Sequence, residues 1–127
     1  MMEMKFTTPR ALCTTLFLLS AFSASPVWAH AHLQQQTPPA DAEVSPAPQA
    51  LTLNFSEGIE ANFSGVTLKG ADGKTLKTGK ATRSESDKTQ LIVPLPEALA
   101  SGIYTVEWHV VSVDGHKTKG QYQFSVK

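Results

Sequence analysis

Beyond residue 29 the chain has no cysteine and no methionine; its one cysteine is Cys13 and its three methionines are Met1, Met2 and Met4. That absence excludes a disulfide framework downstream of residue 29. It also excludes any site built on soft sulfur ligands. A surplus of charge is missing as well, since 11 Lys and Arg face 11 Asp and Glu. Such a balance offers no basic face for nucleic acid or for an anionic membrane. No internal repeat, low-complexity tract or sustained helical period is visible. The longest mostly apolar stretch, residues 11–24, is too short to span a bilayer. No Ser or Thr has a His and an acid placed so that a nucleophile and its base can be argued.

What is present begins with that apolar stretch. Lys5 and Arg10 precede it, and Val27-Trp28-Ala29 follows it with residues that suit a signal peptidase. We place the cut after Ala29, so that 1–29 is a cleaved signal and 30–127 is the exported domain. Cys13 lies too early to be a lipid-attachment site. The remaining 98 residues make one domain with a modest core, carrying nine Lys and Arg against ten Asp and Glu. No membrane insertion is expected after cleavage.

The domain reads as strands. His30 to Gln36 suits a first edge strand. Thr37 to Gln49 carries Pro38, Pro39, Pro46 and Pro48, which exclude a helix or a central strand and leave an extended connection. Leu51, Leu53 and Phe55 alternate with polar neighbours, as do Val66 and Leu68. Asp72-Gly73 marks a hairpin turn, with Leu76 on the return strand. Arg83 to Lys88 reads as a loop with a short edge strand. Leu91, Val93 and Leu95 form the next strand, ended by Pro94 and Pro96, and Glu97 to Ser101 suits one helical turn. Tyr104, Val106, Trp108 and Val110 face one way along the longest strand, and Tyr122, Phe124 and Val126 along the last. The stretch Leu99 to Tyr104 resembles a tyrosine corner. The expected fold is all-β, an immunoglobulin-like Greek-key sandwich or barrel of about seven strands.

One stretch carries chemistry: Trp108 to His116, ending in Ser112-Val113-Asp114-Gly115-His116. Gly115 permits a turn tight enough for Asp114 and His116 to face one point. Alone, Asp-Gly-His is also an ordinary hairpin turn. Cleavage after Ala29 adds a second feature, because His30 then supplies an α-amine and an imidazole from one residue. An amine, two imidazoles and a carboxylate suit copper(II), which prefers tetragonal nitrogen and oxygen donors. His32 offers a rival site. A terminal His-Ala-His can chelate copper(II) in a plane through the amine, two backbone amides and the third-residue imidazole, with no fold at all. His109 reads as a surface-strand residue and Trp108 as a core residue.

The mature start His30-Ala31-His32-Leu33, the segments Asn54 to Glu57 and Gly102 to Trp108, and Ser112 to His116 together resemble the CopC family of small periplasmic copper-binding proteins. The order and spacing of all four segments carry the resemblance across the mature chain. It implies a Greek-key β-barrel of sandwich type and one copper(II) per mature chain, held by His30, Asp114 and His116. Glu57 matches a family carboxylate near the metal, where it would support an N–H; a solvated strand-end Glu is the other reading. The resemblance further implies a carrier or buffer in periplasmic copper homeostasis or resistance, with an inner-membrane CopD-type protein as partner. Some members hold copper(I) in a Met-rich loop, and here this chain departs.

Two other functions fit parts of the pattern. A terminal His with a second His resembles the copper brace of oxidative polysaccharide enzymes, but the chain is small and Asp114 fills a position that oxygen chemistry needs open. A metal-free sandwich module would fold and be exported without copper affinity. The carrier reading, without catalysis, is the one adopted.

Overall fold

The computed structural model describes residues 31–127, so the cleavage position and His30 lie outside the described residues. Nine strands form among them: β1 (Leu33–Thr37), β2 (Glu43–Val44), β3 (Ala50–Phe55), β4 (Gly65–Lys69), β5 (Thr75–Leu76), β6 (Thr82–Arg83), β7 (Gln90–Pro94), β8 (Gly102–Val111) and β9 (Lys117–Val126). They build a four-stranded sheet in the order β1-β3-β7-β6 and a five-stranded sheet in the order β2-β9-β8-β4-β5. The all-β sandwich is therefore as expected, with nine strands in place of about seven. The Leu76 return strand and a short edge strand near Arg83 were expected; β2 was not, and its two residues are too few for alternation to reveal it.

β2 lies inside the proline-rich connection and pairs in parallel with the end of β9. It avoids the prolines, which cannot donate to a ladder. Its flanks take N–H groups from Ser125 to the Ala42 carbonyl at 2.9 Å and from Lys127 to the Val44 carbonyl at 3.0 Å. The segment Glu97 to Ser101 is not helical, contrary to expectation. Leu99 packs against the core, and the Tyr104 hydroxyl donates to the Ala100 carbonyl at 2.6 Å. That tyrosine-corner bond and the Leu99 anchor hold the segment as an irregular loop. A short 3-10 turn forms elsewhere, at Ala61–Phe63.

The core lies where the alternating rows meet. Leu51, Leu53 and Phe55 from β3, and Leu91 and Val93 from β7, face Val106, Trp108 and Val110 from β8 and Phe124 from β9. Full burial of each large apolar side chain contributes about 1.5–3 kcal/mol. Phe55 meets Trp108 edge-on across the two sheets, with ring centroids 5.2 Å apart. The indole needs Gly120 opposite it on β9, because a Cβ there would stand 2.7 Å from Cζ2. His109 projects outward, exposed, over Gly65 of β4.

Tyr122 is the exception in this core. Its hydroxyl is buried and has no hydrogen-bond partner among the described residues, and burial pushes its pKa up. Tyr122→Phe removes a desolvated group that gains nothing in return. It is expected to leave stability unchanged or raise it by up to about 1 kcal/mol in urea denaturation. A clear loss of stability would show that the hydroxyl is bonded in solution.

Candidate metal centre

The long β8–β9 hairpin positions the site. These strands pair in register from Gly102↔Val126 to Val111↔Lys117, so the loop between them, Ser112 to His116, is held at both ends. The Gly115 N–H donates to the Ser112 carbonyl at 2.8 Å, and the Ser112 N–H to the His116 carbonyl at 2.9 Å. Gly115 has a φ of +91°, a left-handed conformation that glycine adopts without steric cost.

The turn brings the two expected ligands together. His116 Nδ1 lies 3.1 Å from Asp114 Oδ1, and both side chains are well exposed. The Asp114 carboxyl is lowered to about 2, first by the Ser112 hydroxyl that donates to Oδ1 and then by His116. It is thus an anion at any pH where an imidazole can be neutral. A fixed carboxylate beside an imidazole, open to solvent, is a donor pair of the kind that borderline divalent ions take. Among the described residues no group of three His, Cys, Asp or Glu gathers at one point.

The start of the described chain is fastened to the same end of the sandwich. The Ala31 carbonyl accepts from the Thr118 hydroxyl at 2.8 Å, and Thr118 is two residues past His116. Ala31 is fully buried. His32 is tied to Ser56 in both directions, donating its N–H to Oγ at 2.8 Å and accepting the Ser56 N–H at 2.8 Å. Two residues on, the Gly58 carbonyl accepts the Val113 N–H at 2.9 Å, and Ile59 bridges to Ser112. Glu57, half-buried, is therefore carried between the His32 segment and the turn.

Ser56, Ser112 and Thr118 escaped the sequence reading. The pattern held a signal for one of them. Ser112 continues the inward row of Tyr104, Val106, Trp108 and Val110, and it is fully buried. A hydroxyl where an apolar residue is due, two positions before an Asp, marks a bonded polar group.

These features define a small two-sheet protein with an Asp-Gly-His turn beside the anchored first of its described residues, Ala31. The chain belongs to the CopC family: the CopC domain model matches residues 33–127. It is 57% identical over 121 residues to Protein YobA of Escherichia coli strain K12, covering 94% of this chain and 98% of that protein. Among solved structures, CopC from Methylosinus trichosporium OB3b superposes with a TM-score of 0.73 at 31% identity, covering 77% of this chain and 94% of that one. PcoC from Escherichia coli, described as a methionine rich copper resistance protein, does so with a TM-score of 0.69 at 35% identity, covering 78% and 100%.

Proposed function

We propose that this protein is a periplasmic copper(II) carrier or buffer that serves copper homeostasis or resistance. One ion is held by the α-amine and imidazole of His30, the carboxylate of Asp114 and an imidazole nitrogen of His116. The observation that carries this reading is the Asp114–His116 pair at 3.1 Å on the end of the sandwich where Ala31 is bonded to Thr118. Only one peptide separates Ala31 from His30, a step of about 3.8 Å between α-carbons. The sulfur-free sequence after residue 29 adds the preference for copper(II) over copper(I). Copper is the cargo, and delivery to an inner-membrane CopD-type protein is part of the proposal.

The hydrogen bonds also weigh against the rival chelate. A planar His-Ala-His site must deprotonate the backbone amides of residues 31 and 32. In the folded chain the His32 amide already donates to Ser56 Oγ at 2.8 Å. Coordination by that nitrogen would break this bond and pull at the buried Ala31. The folded site demands none of these losses. His32 is then an anchor through its backbone, and Glu57 is a neighbouring carboxylate that can receive an N–H.

Titration of copper(II) into the processed protein tests the reading. Trp28 precedes the expected cut, so Trp108 is the one tryptophan of the mature chain. Its indole packs on Gly120, two residues from Thr118. Paramagnetic copper(II) bound at this end should strongly quench its emission, with a break at one equivalent, and intact mass should show one copper on a chain starting at His30. Binding confirmed by mass with unchanged emission would put the ion elsewhere.

A further inference from the structure

We propose that Ser112 is the positioning residue of the metal centre: its buried hydroxyl sets the Asp114 carboxylate in the orientation that receives copper(II). This inference rests on the copper site proposed above and adds to it a residue that is no ligand.

The geometry is specific. Asp114 and His116 sit on an exposed turn, where a free carboxylate would sample several rotamers and lose that freedom on binding. Ser112 belongs to the rigid part of the molecule. It is fully buried, bridged to Ile59, and its N–H and carbonyl are both used in closing the turn. From that fixed point its hydroxyl reaches up to Asp114 Oδ1. A serine hydroxyl has one proton and two acceptor lone pairs. The proton goes to the carboxylate, which is much nearer than the His116 carbonyl at 3.3 Å. Oγ then accepts the His116 N–H at 3.3 Å, sharing it with Asp114 Oδ1 at 3.4 Å. One buried oxygen thus holds the side chain of one ligand and the backbone of the other.

The consequence lies in how Asp114 divides its two oxygens. Oδ1 takes the Ser112 hydroxyl and faces His116 Nδ1 at 3.1 Å. Among the described residues Oδ2 has no hydrogen bond, which leaves that oxygen to take the ion. Alanine at 112 would leave the carboxylate charge intact but release it to rotate. The loss would appear as weaker binding and an altered ligand field, not merely as a less stable hairpin.

A double-mutant cycle on the exported, processed protein tests this. Copper(II) affinity is measured by competition with a chelator for wild type, Ser112→Ala, Asp114→Ala and the double variant, with electron paramagnetic resonance of each loaded protein. Removing a group that orients a metal ligand typically weakens affinity about 10–100-fold, and that loss is expected for Ser112→Ala, with a shifted copper hyperfine coupling. In the Asp114→Ala background the same change should cost little more, because Ser112 acts through that carboxylate. Ser112→Thr, which keeps the hydroxyl, should restore most of the affinity. Wild-type affinity and spectrum in Ser112→Ala, or an equal loss in both backgrounds, would overturn the inference while leaving the copper site standing if Asp114→Ala binds weakly. Wild-type binding by Asp114→Ala would remove both. If Ser112→Ala does not fold, the wild-type protein still decides. A slowly exchanging Ser112 hydroxyl proton, seen by nuclear magnetic resonance and lost in Asp114→Ala, supports the inference, and its absence overturns it.

Discussion

His116→Ala is expected to lower copper(II) affinity by about 100-fold or more, since losing a ligand outweighs the 10–100-fold typical of losing a supporting group. Asp114→Ala should follow closely, because its carboxylate offsets the charge of the ion and is already ionised far below neutral pH, lowered to about 2 by the Ser112 hydroxyl and by His116. His32→Ala should change affinity little. The contrast comes from what each residue does in the fold. His116 and Asp114 meet through their side chains, Nδ1 to Oδ1 at 3.1 Å. His32 is bound to Ser56 through its backbone N–H and carbonyl, and alanine keeps both bonds. A flexible His-Ala-His chelate predicts the opposite order, with His32→Ala abolishing planar binding and changes at 114 and 116 silent. Chelator competition gives the affinities. Electron paramagnetic resonance gives a second criterion, since deprotonated amide ligands belong to the flexible chelate alone. A His116→Ala protein with wild-type affinity and an unchanged spectrum would sink the folded site.

Phe55→Ala is expected to cost about 3–5 kcal/mol, the range for emptying a large aromatic from a packed core. A domain of this size has only about 5–15 kcal/mol in total. Phe55 is 2% exposed. It pairs with Leu33 of β1 and meets Trp108 of the opposite sheet edge-on at 5.2 Å. Its removal leaves a cavity under the indole and loosens the strand end that carries Ser56. Guanidinium unfolding followed by Trp108 fluorescence measures the loss. Phe63, 68% exposed on its 3-10 turn, serves as the control and should cost little. Equal effects at the two positions would mean that the core is not where the burial pattern puts it.

The fold was legible wherever its pattern was local. Period-two alternation located β3, β7, β8 and β9, Asp72-Gly73 marked the β4–β5 hairpin, and the approach to Tyr104 read as a tyrosine corner. The readings that failed lay where packing and pairing overrode local composition. Glu97 to Ser101 has the composition for a helical turn, yet the core took Leu99, while the tyrosine-corner bond from Tyr104 to the Ala100 carbonyl was legible four residues away. β2 was hidden because two residues show no period, and only the edge of β9 made them a strand.

The Asp-Gly-His turn divides the same way. The donor types, Asp114 and His116 about a glycine, and the absence of soft sulfur after residue 29 are properties of composition and neighbouring positions, so the chain order alone determined which class of ion the turn suits. That Thr118 would bond Ala31 across 87 residues, that His32 would spend its amide on Ser56, and that a buried Ser112 would hold the carboxylate were decided only by the tertiary structure. Alternation and turn chemistry act over a few residues, where steric and hydrogen-bond preferences are set by neighbours. Bringing Ala31 to a distant turn requires two sheets to close on one core, and the hydrogen bonds that fasten them become favourable only when that core has excluded water.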